Sequence, residues 1–311
     1  MDKATVIITG GNSGLGYACA KDIASSSTDY TVVLACRNQQ RAESAVNRLR
    51  QETGNANVYW LILDLASLTS IRSFCAAYQG ENYPPLYSIV CNAGFNLGKK
   101  LEYTQEGYEA TFGVCHLGHY LLVNLLLGQM VDHGRVLYVS SDVHRTKFSH
   151  RQTTFTDAYA VAHPAPGGPE MQHYAVAKTC VILGAYEMAR RLDAQTSTHI
   201  TVNAFNPGMM TDTNIWPYPR NKILRRIVQA GLDVTALALR QRSTSVRSAK
   251  TLAGLVTQPR YQGVTGKYVY YLGPSYPSSD ATYDLDAAKK LWRQSADMVH
   301  LKASESLLSL T

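Results

Sequence analysis

The apolar run Thr5 to Thr9 breaks directly into Gly10-Gly11-Asn12-Ser13-Gly14-Leu15-Gly16, and a helical stretch, Gly14 to Ala24, follows without a spacer. A strand that turns this sharply into a helix through spaced glycines strongly limits the folds open to a chain. Gly10, Gly14 and Gly16 permit a tight turn and let a pyrophosphate approach the backbone, and free N–H groups at the helix start then hold the phosphates. The spacing Gly-x-x-x-Gly-x-Gly differs from the commoner G-x-G-x-x-G. Its place between the first strand and the first helix is still that of a dinucleotide site, with Asn12, Ser13 and Leu15 beside the ligand.

The rest of the chain continues the rhythm. Short β-rich apolar runs cover Thr5 to Thr9, Tyr30 to Cys36, Val58 to Leu63, Leu86 to Cys91, Arg135 to Val139, His199 to Phe205 and Lys267 to Tyr271. Helical stretches such as Gln39 to Gln51 and Tyr174 to Leu192 lie between them. Several runs are apolar throughout rather than alternating, as strands buried on both faces of a parallel sheet are. The expectation is an α/β fold: a Rossmann-type doubly wound parallel sheet of about seven strands, in a single domain over 1–311.

Two segments interrupt the rhythm. Asp142 to Gln172 is polar and ends in a run rich in proline and glycine. A connection this long is usually functional or mobile. Residues 209–241 follow a Pro-Gly turn and contain the basic amphipathic stretch Lys222 to Val228. They read as a lid over a substrate or, equally, as a surface helix with a solvated basic face. Contact of that helix with a membrane surface is a lesser alternative. Residues 284–311 read as a helical tail.

Composition narrows the function classes. The net charge of +7 over 311 residues favours anionic ligands such as dinucleotides. No basic run is interleaved with aromatics, which argues against nucleic acid. None of the six cysteines forms a C-x-x-C pair, so a reducing, cytoplasmic compartment is expected. Met1 runs straight into a strand with no signal peptide in view, and the apolar run Tyr120 to Leu127 is too short to span a bilayer. The nine histidines are scattered, with no His-Glu-x-x-His. The glycine turn lacks Gly-Lys-Ser/Thr, and Ser141 lacks a Gly-x-Ser-x-Gly elbow, which argues against phosphoryl transfer and hydrolysis. The oligomeric state stays open.

The second strand ends in Arg37, where a carboxylate would serve the free ribose hydroxyls of NADH. An arginine suits a 2′-phosphate, so NADPH/NADP is the expected cofactor, with Arg41 as a candidate helper. Asp64-Leu65 follows the third strand and is placed to touch the adenine, or Asp64 caps a helix. Further along come Cys91-Asn92-Ala93-Gly94, Ser140-Ser141, Tyr174 with Lys178, and Asn206-Pro207-Gly208. Tyr174 and Lys178, at i and i+4, share a helix face.

In this order the motifs resemble the short-chain dehydrogenase/reductase family. Within it, His116-Leu117-Gly118-His119 and Tyr174-x-x-x-Lys178-x-Cys180 resemble retinol dehydrogenase-like enzymes and light-dependent protochlorophyllide oxidoreductase. The resemblance implies that Tyr174 donates a proton to a carbonyl oxygen as hydride arrives. Lys178 lowers the phenol's pKa and binds the nicotinamide ribose. Ser141, with Ser140 as runner-up, polarises the substrate oxygen. Asn92, Ala93, Gly94, Pro207 and Gly208 line the cofactor, and a threonine after the Pro-Gly turn contacts the carboxamide. Thr211 is favoured for that contact, with Asp212 or Thr213 as alternative helix caps. Cys115 stands where the family has an asparagine that anchors a water in the proton relay, and a thiol cannot replace an amide. His116 and His119 read as buried structural histidines. Met209 stands where the protochlorophyllide enzyme has a cysteine, and that enzyme's connection corresponding to Asp142 to Gln172 is longer. The implied reaction is hydride transfer to a carbonyl, or from an alcohol, of a bulky apolar substrate; Met209, Met210, Ile215, Trp216 and Tyr218 of the lid segment read as the lining of a roomy apolar pocket or, equally, as core packing. The alternatives are reduction of a C=C bond in a tetrapyrrole pigment and a cofactor-bound sensor without turnover.

Overall fold

A strand covered on both faces has no use for polar alternation, and three of the apolar runs are buried at every residue. The computed structural model describes residues 3–96, 101–145, 153–165, 172–213, 222–238 and 241–311, with backbone alone at 222–225, 227 and 238. In it β1 (Ala4–Thr9), β2 (Tyr30–Cys36) and β6 (Thr201–Asn206) are buried throughout. With β3 (Val58–Ile62), β4 (Leu86–Cys91), β5 (Met130–Val139) and β9 (Tyr268–Tyr270) they form a seven-stranded sheet in the order β3-β2-β1-β4-β5-β6-β9. Every neighbouring pair is parallel.

Helices cover both faces. On one side α1 (Gly14–Ser26), α2 (Gln39–Thr53) and α9 (Ser245–Thr257) pack Leu15, Ile23, Leu49 and Leu252 on Val6, Ile8 and Leu34. On the other, α3 (Leu68–Gly80), α5 (His119–Leu127), α7 (Gln172–Gln195) and α10 (Leu285–Met298) pack Phe74, Leu122, Ile182 and Trp292 on Ile7, Ile89 and Val136. The remaining helices are α4 (Ala110–Phe112), α6 (Ala158–Ala162) and α8 (Lys222–Ala238). Two strands were not expected: β7 (Met209–Met210) and β8 (Arg242–Ser243) pair with each other and bracket α8.

Strand order reverses between β1 and β4. From β1 the chain winds outward through β2 and β3, and from β4 it winds the other way. The crevice outside the carboxyl ends of β1 and β4 is therefore the place where an open parallel sheet takes its ligand. One expectation on membrane spans needs correction. Ala110–Leu127 form one continuous 18-residue helical stretch, apolar enough by length and composition to cross a membrane. It is 94% buried inside the protein, where it packs against the sheet.

Candidate active site

The glycine turn lies on the floor of the crevice. Gly10 and Gly14 take φ of 64° and 54°, which favours glycine at both. A Cβ on Gly16 would lie 2.5 Å from Asn92 Nδ2 and 2.6 Å from the Gly10 carbonyl. Asn92 in turn donates from Nδ2 to the Thr9 carbonyl at 2.8 Å, so the end of β4 holds the turn in place. The helix that follows starts without a side-chain cap. Ser13 at its N-cap makes no cap hydrogen bond, whereas α2, α3, α9 and α10 are capped by Asn38, Ser67, Thr244 and Asp284. The first N–H groups of α1 are thus free for an anionic oxygen.

A cavity of about 380 Å³ opens over this floor. Gly10, Asn12, Ser13, Gly14, Leu15, Arg37, Asp64, Leu65, Asn92, Ala93, Gly94, Ser141, Tyr174, Lys178, Pro207 and Gly208 all line it. Arg41 lines it as well. Gly16 lies beneath the wall and acts through the turn. Asp64 lines the cavity while its carboxylate accepts from Ala66 N–H at 3.0 Å, and Ser67, not Asp64, caps α3.

The end of β5 and one face of α7 carry the reactive groups. Tyr174 is buried, and its hydroxyl faces the Ser141 side chain. Burial keeps its phenol well above the ordinary value, the nearby Cys115 thiol adds to the rise, and the Ser141 hydroxyl opposes it. Lys178 Nζ lies 5.6 Å from the Tyr174 ring centre and donates to the Val139 carbonyl at 2.8 Å. The lysine is therefore aimed into the site from beneath, and in this geometry Ser141, rather than the ammonium, favours the phenolate. Ser140 Oγ donates to the Lys178 carbonyl at 3.0 Å, which removes it as the runner-up.

Cys115 sits on a turn that no local sequence pattern announces. Between α4 and α5 the helix widens into a π-turn, Gly113–Gly118. Cys115 is buried there, and a Cβ on Gly94 would come within 3.0 Å of its Sγ and 3.6 Å of Lys178 Nζ. Its backbone carbonyl accepts from His119 Nδ1 at 3.1 Å, since a carbonyl only accepts. Nε2 of the neutral ring then accepts from Thr9 Oγ1 at 2.9 Å, and Thr9 Oγ1 accepts from Asn92 and Ala93 N–H at 2.9 Å each. His119 thus ties the widened helix to the turn after β4. Burial pushes its pKa down to about 4. His116 bonds Ser295 of α10 at 2.8 Å, with its pKa pushed down to about 3 by burial.

The expected threonine contact needs correction. Thr211 does not line the cavity: its hydroxyl donates to Asp233 of α8 at 2.7 Å, and its carbonyl accepts from Gln229 at 3.0 Å. Thr213 lines the cavity instead, with Cγ2 3.4 Å from where a Cβ on Gly14 would lie. Asp212 accepts from Ser245 N–H at 2.9 Å, at the start of α9. Met209 and Met210 line the cavity; Ile215, Trp216 and Tyr218 fall outside the described residues.

Asp142 and Gln241 are among the cavity residues that the sequence did not single out. Asp142 accepts from Gln241 Nε2 at 2.9 Å and from Tyr268 Oη at 3.1 Å, joining the Ser141 turn to the far end of the segment that carries α8. The polar residue directly after Ser141 was a usable signal for Asp142; nothing marked Gln241. Asn206 Nδ2 is buried in the cavity wall with no partner among the described residues, so a polar ligand group there would satisfy it.

The family model for short chain dehydrogenase matches residues 4–153. Human retinol dehydrogenase 14 is 34% identical over 316 residues, which cover 97% of this chain and 88% of that one. The chain belongs to the short-chain dehydrogenase family. Human polyprenol dehydrogenase is 31% identical over 299 residues, covering 94% of this chain and 84% of that one. Among solved structures, a blue fluorescent protein from a metagenomic library in complex with NADPH shares the fold, with TM-score 0.66, 21% identity, and 86% and 96% of the two chains covered. This short-chain dehydrogenase is an oxidoreductase built for a nicotinamide cofactor, and the uncapped α1, the glycine floor and the orphaned Asn206 amide fit one.

Proposed function

We propose that the chain is an NADPH-dependent oxidoreductase that moves a hydride to a carbonyl, or from an alcohol, of a bulky apolar substrate. The observation that carries this reading is that Tyr174, Ser141 and Lys178 line one cavity with the dinucleotide floor, the tyrosine beside both of the others. A bound nicotinamide supplies the hydride. The chain's own residues handle the proton and the oxygen. Ser141 holds the carbonyl oxygen, and Tyr174, kept protonated by burial, is the donor to it. Lys178 holds the turn at Val139 in place and sets its ammonium 5.6 Å from the Tyr174 ring centre. Cys115, packed beside them, closes the site to water rather than anchoring one.

The choice of NADPH is supported by Arg37 and Arg41, both on the cavity wall after β2, where a free ribose would call for a carboxylate. One relative in fold holds NADPH. Two relatives are named for retinol and polyprenol, both long apolar alcohols. Met209, Met210 and Phe95 give the wall an apolar character that suits such a molecule. In this reading the segment 209–241 covers the substrate end, all within one domain, with 284–311 as a packed tail. Six unpaired cysteines favour a reducing, cytoplasmic setting.

The test is NADPH oxidation against apolar aldehydes and ketones by the parent and by Tyr174→Phe. The variant is expected to lose about 10²–10⁴-fold in kcat while binding NADPH as tightly as the parent. NADPH binding by the parent with no oxidation across the panel would overturn the reading.

A further inference from the structure

A second cluster of chemistry lies at the other end of the sheet. Arg135 of β5 pairs with Thr201 of β6, so two residues earlier His133 faces His199, with Asp132 beside them. His199 Nδ1 lies 3.1 Å from both Asp132 carboxylate oxygens, and His133 Nε2 lies 3.6 Å from Oδ2. The two imidazoles stack with centroids 4.7 Å and planes 18° apart. One ligand atom from each of the three residues lies within 4.8 Å of the others.

Two features show that the arrangement is held. Asp132 Oδ1 accepts backbone N–H groups from His199 at 2.6 Å and from His133 at 3.0 Å. That fixes the carboxylate and leaves Oδ2 turned to the rings. His133 takes φ 60°, a left-handed conformation uncommon outside glycine, and it is this backbone that brings its ring onto His199. The side chains are 52%, 53% and 68% exposed at Asp132, His133 and His199, which leaves room for water ligands.

We propose that Asp132, His133 and His199 form a binding site for a divalent transition metal, with Zn²⁺ the best fit. Two imidazoles and one carboxylate suit zinc, with water in the open position, and suit Mg²⁺ and Ca²⁺ poorly. At bond lengths of about 2.0 Å a tetrahedral ion needs its ligand atoms about 3.3 Å apart, a contraction that small ring rotations supply. None of the three residues lines the catalytic cavity. The ion joins the start of β5 to the turn before β6 and takes no part in hydride transfer.

The test uses the full chain without a histidine tag, stripped with chelator, desalted and titrated with ZnCl₂ by calorimetry. The expected result is one saturable site, about tenfold or more weaker in His199→Ala and in His133→Gly. Zinc should raise the melting temperature of the parent and not of either variant. His133→Gly relieves the left-handed backbone, so without zinc it should melt no lower than the parent. His163→Asn, an exposed histidine elsewhere, should bind zinc as the parent does. No saturable binding by the parent, or equal binding by His199→Ala and His133→Gly, overturns the proposal.

Discussion

Arg37 is exposed on the cavity wall at the end of β2, with no hydrophobic packing to explain it and with Arg41 one helical turn further on. Its position was legible because strand ends are easy to find in a parallel sheet. The consequence of its charge is testable. Arg37→Asp removes a partner for a 2′-phosphate and offers the ribose hydroxyls an acceptor. A charge-assisted bond is worth about 1.5–3 kcal/mol, so the ratio of Kd values should move toward NADH by about tenfold or more. An unchanged preference in cofactor titrations would place the phosphate elsewhere. The neighbouring threonines teach the opposite lesson. Thr211 and Thr213 stand two apart after the same turn, and which of them faced the cavity depended on Asp233, a residue brought near only by the folding of α8. No local pattern encodes that. Nor does any encode the Tyr174 environment, in which the dominant effect is burial rather than the lysine four residues away.

At the scale of elements, the seven main strands were readable because continuous apolar runs mark strands covered on both sides. Their edges were less so. β5 begins at Met130 rather than Arg135, since Asp132 and His133 are exposed and break the apolar run. β7 and β8 are two residues each, too short for any periodicity. The short turn Asp142–His144 shows how such pieces carry function. His144 is fully buried; its Nδ1 donates to the Ser141 carbonyl at 2.7 Å and its Nε2 accepts from Ser279 N–H at 3.1 Å. His144→Leu would remove both side-chain bonds and leave the Ser279 N–H without a partner, at about 1–3 kcal/mol. Urea unfolding should show that loss. Turnover should fall with it, because the serine beside Tyr174 loses its brace, while NADPH binding at the far end of the cavity stays as it was.

Over the whole molecule the buried histidines set a common acid limit. Burial lowers the pKa of His116 to about 3 and of His119 to about 4, and lowers that of His144. In the unfolded chain each titrates near 6.5. Between those values the unfolded state binds more protons, so stability is level above about pH 6.5 and falls as pH drops through that window. The slope is about 1.4 kcal/mol per pH unit for each histidine. Melting temperature followed from pH 7 to pH 4 should show the decline, and His116→Asn should shallow it. A flat profile would mean that these rings are reached by water.

His116 lies in the widened turn Gly113–Gly118, with His119 directly after it, and the turn slips one extra residue into an otherwise regular rod. That residue works as a phase shifter. Each helical residue turns the rod by about 100°, so α4 and α5 point their apolar stripes in directions that an even winding could not reconcile. Deleting a single position there would leave the composition nearly untouched, yet it would swing either the sulfur away from the phenol or the leucines of α5 off the sheet.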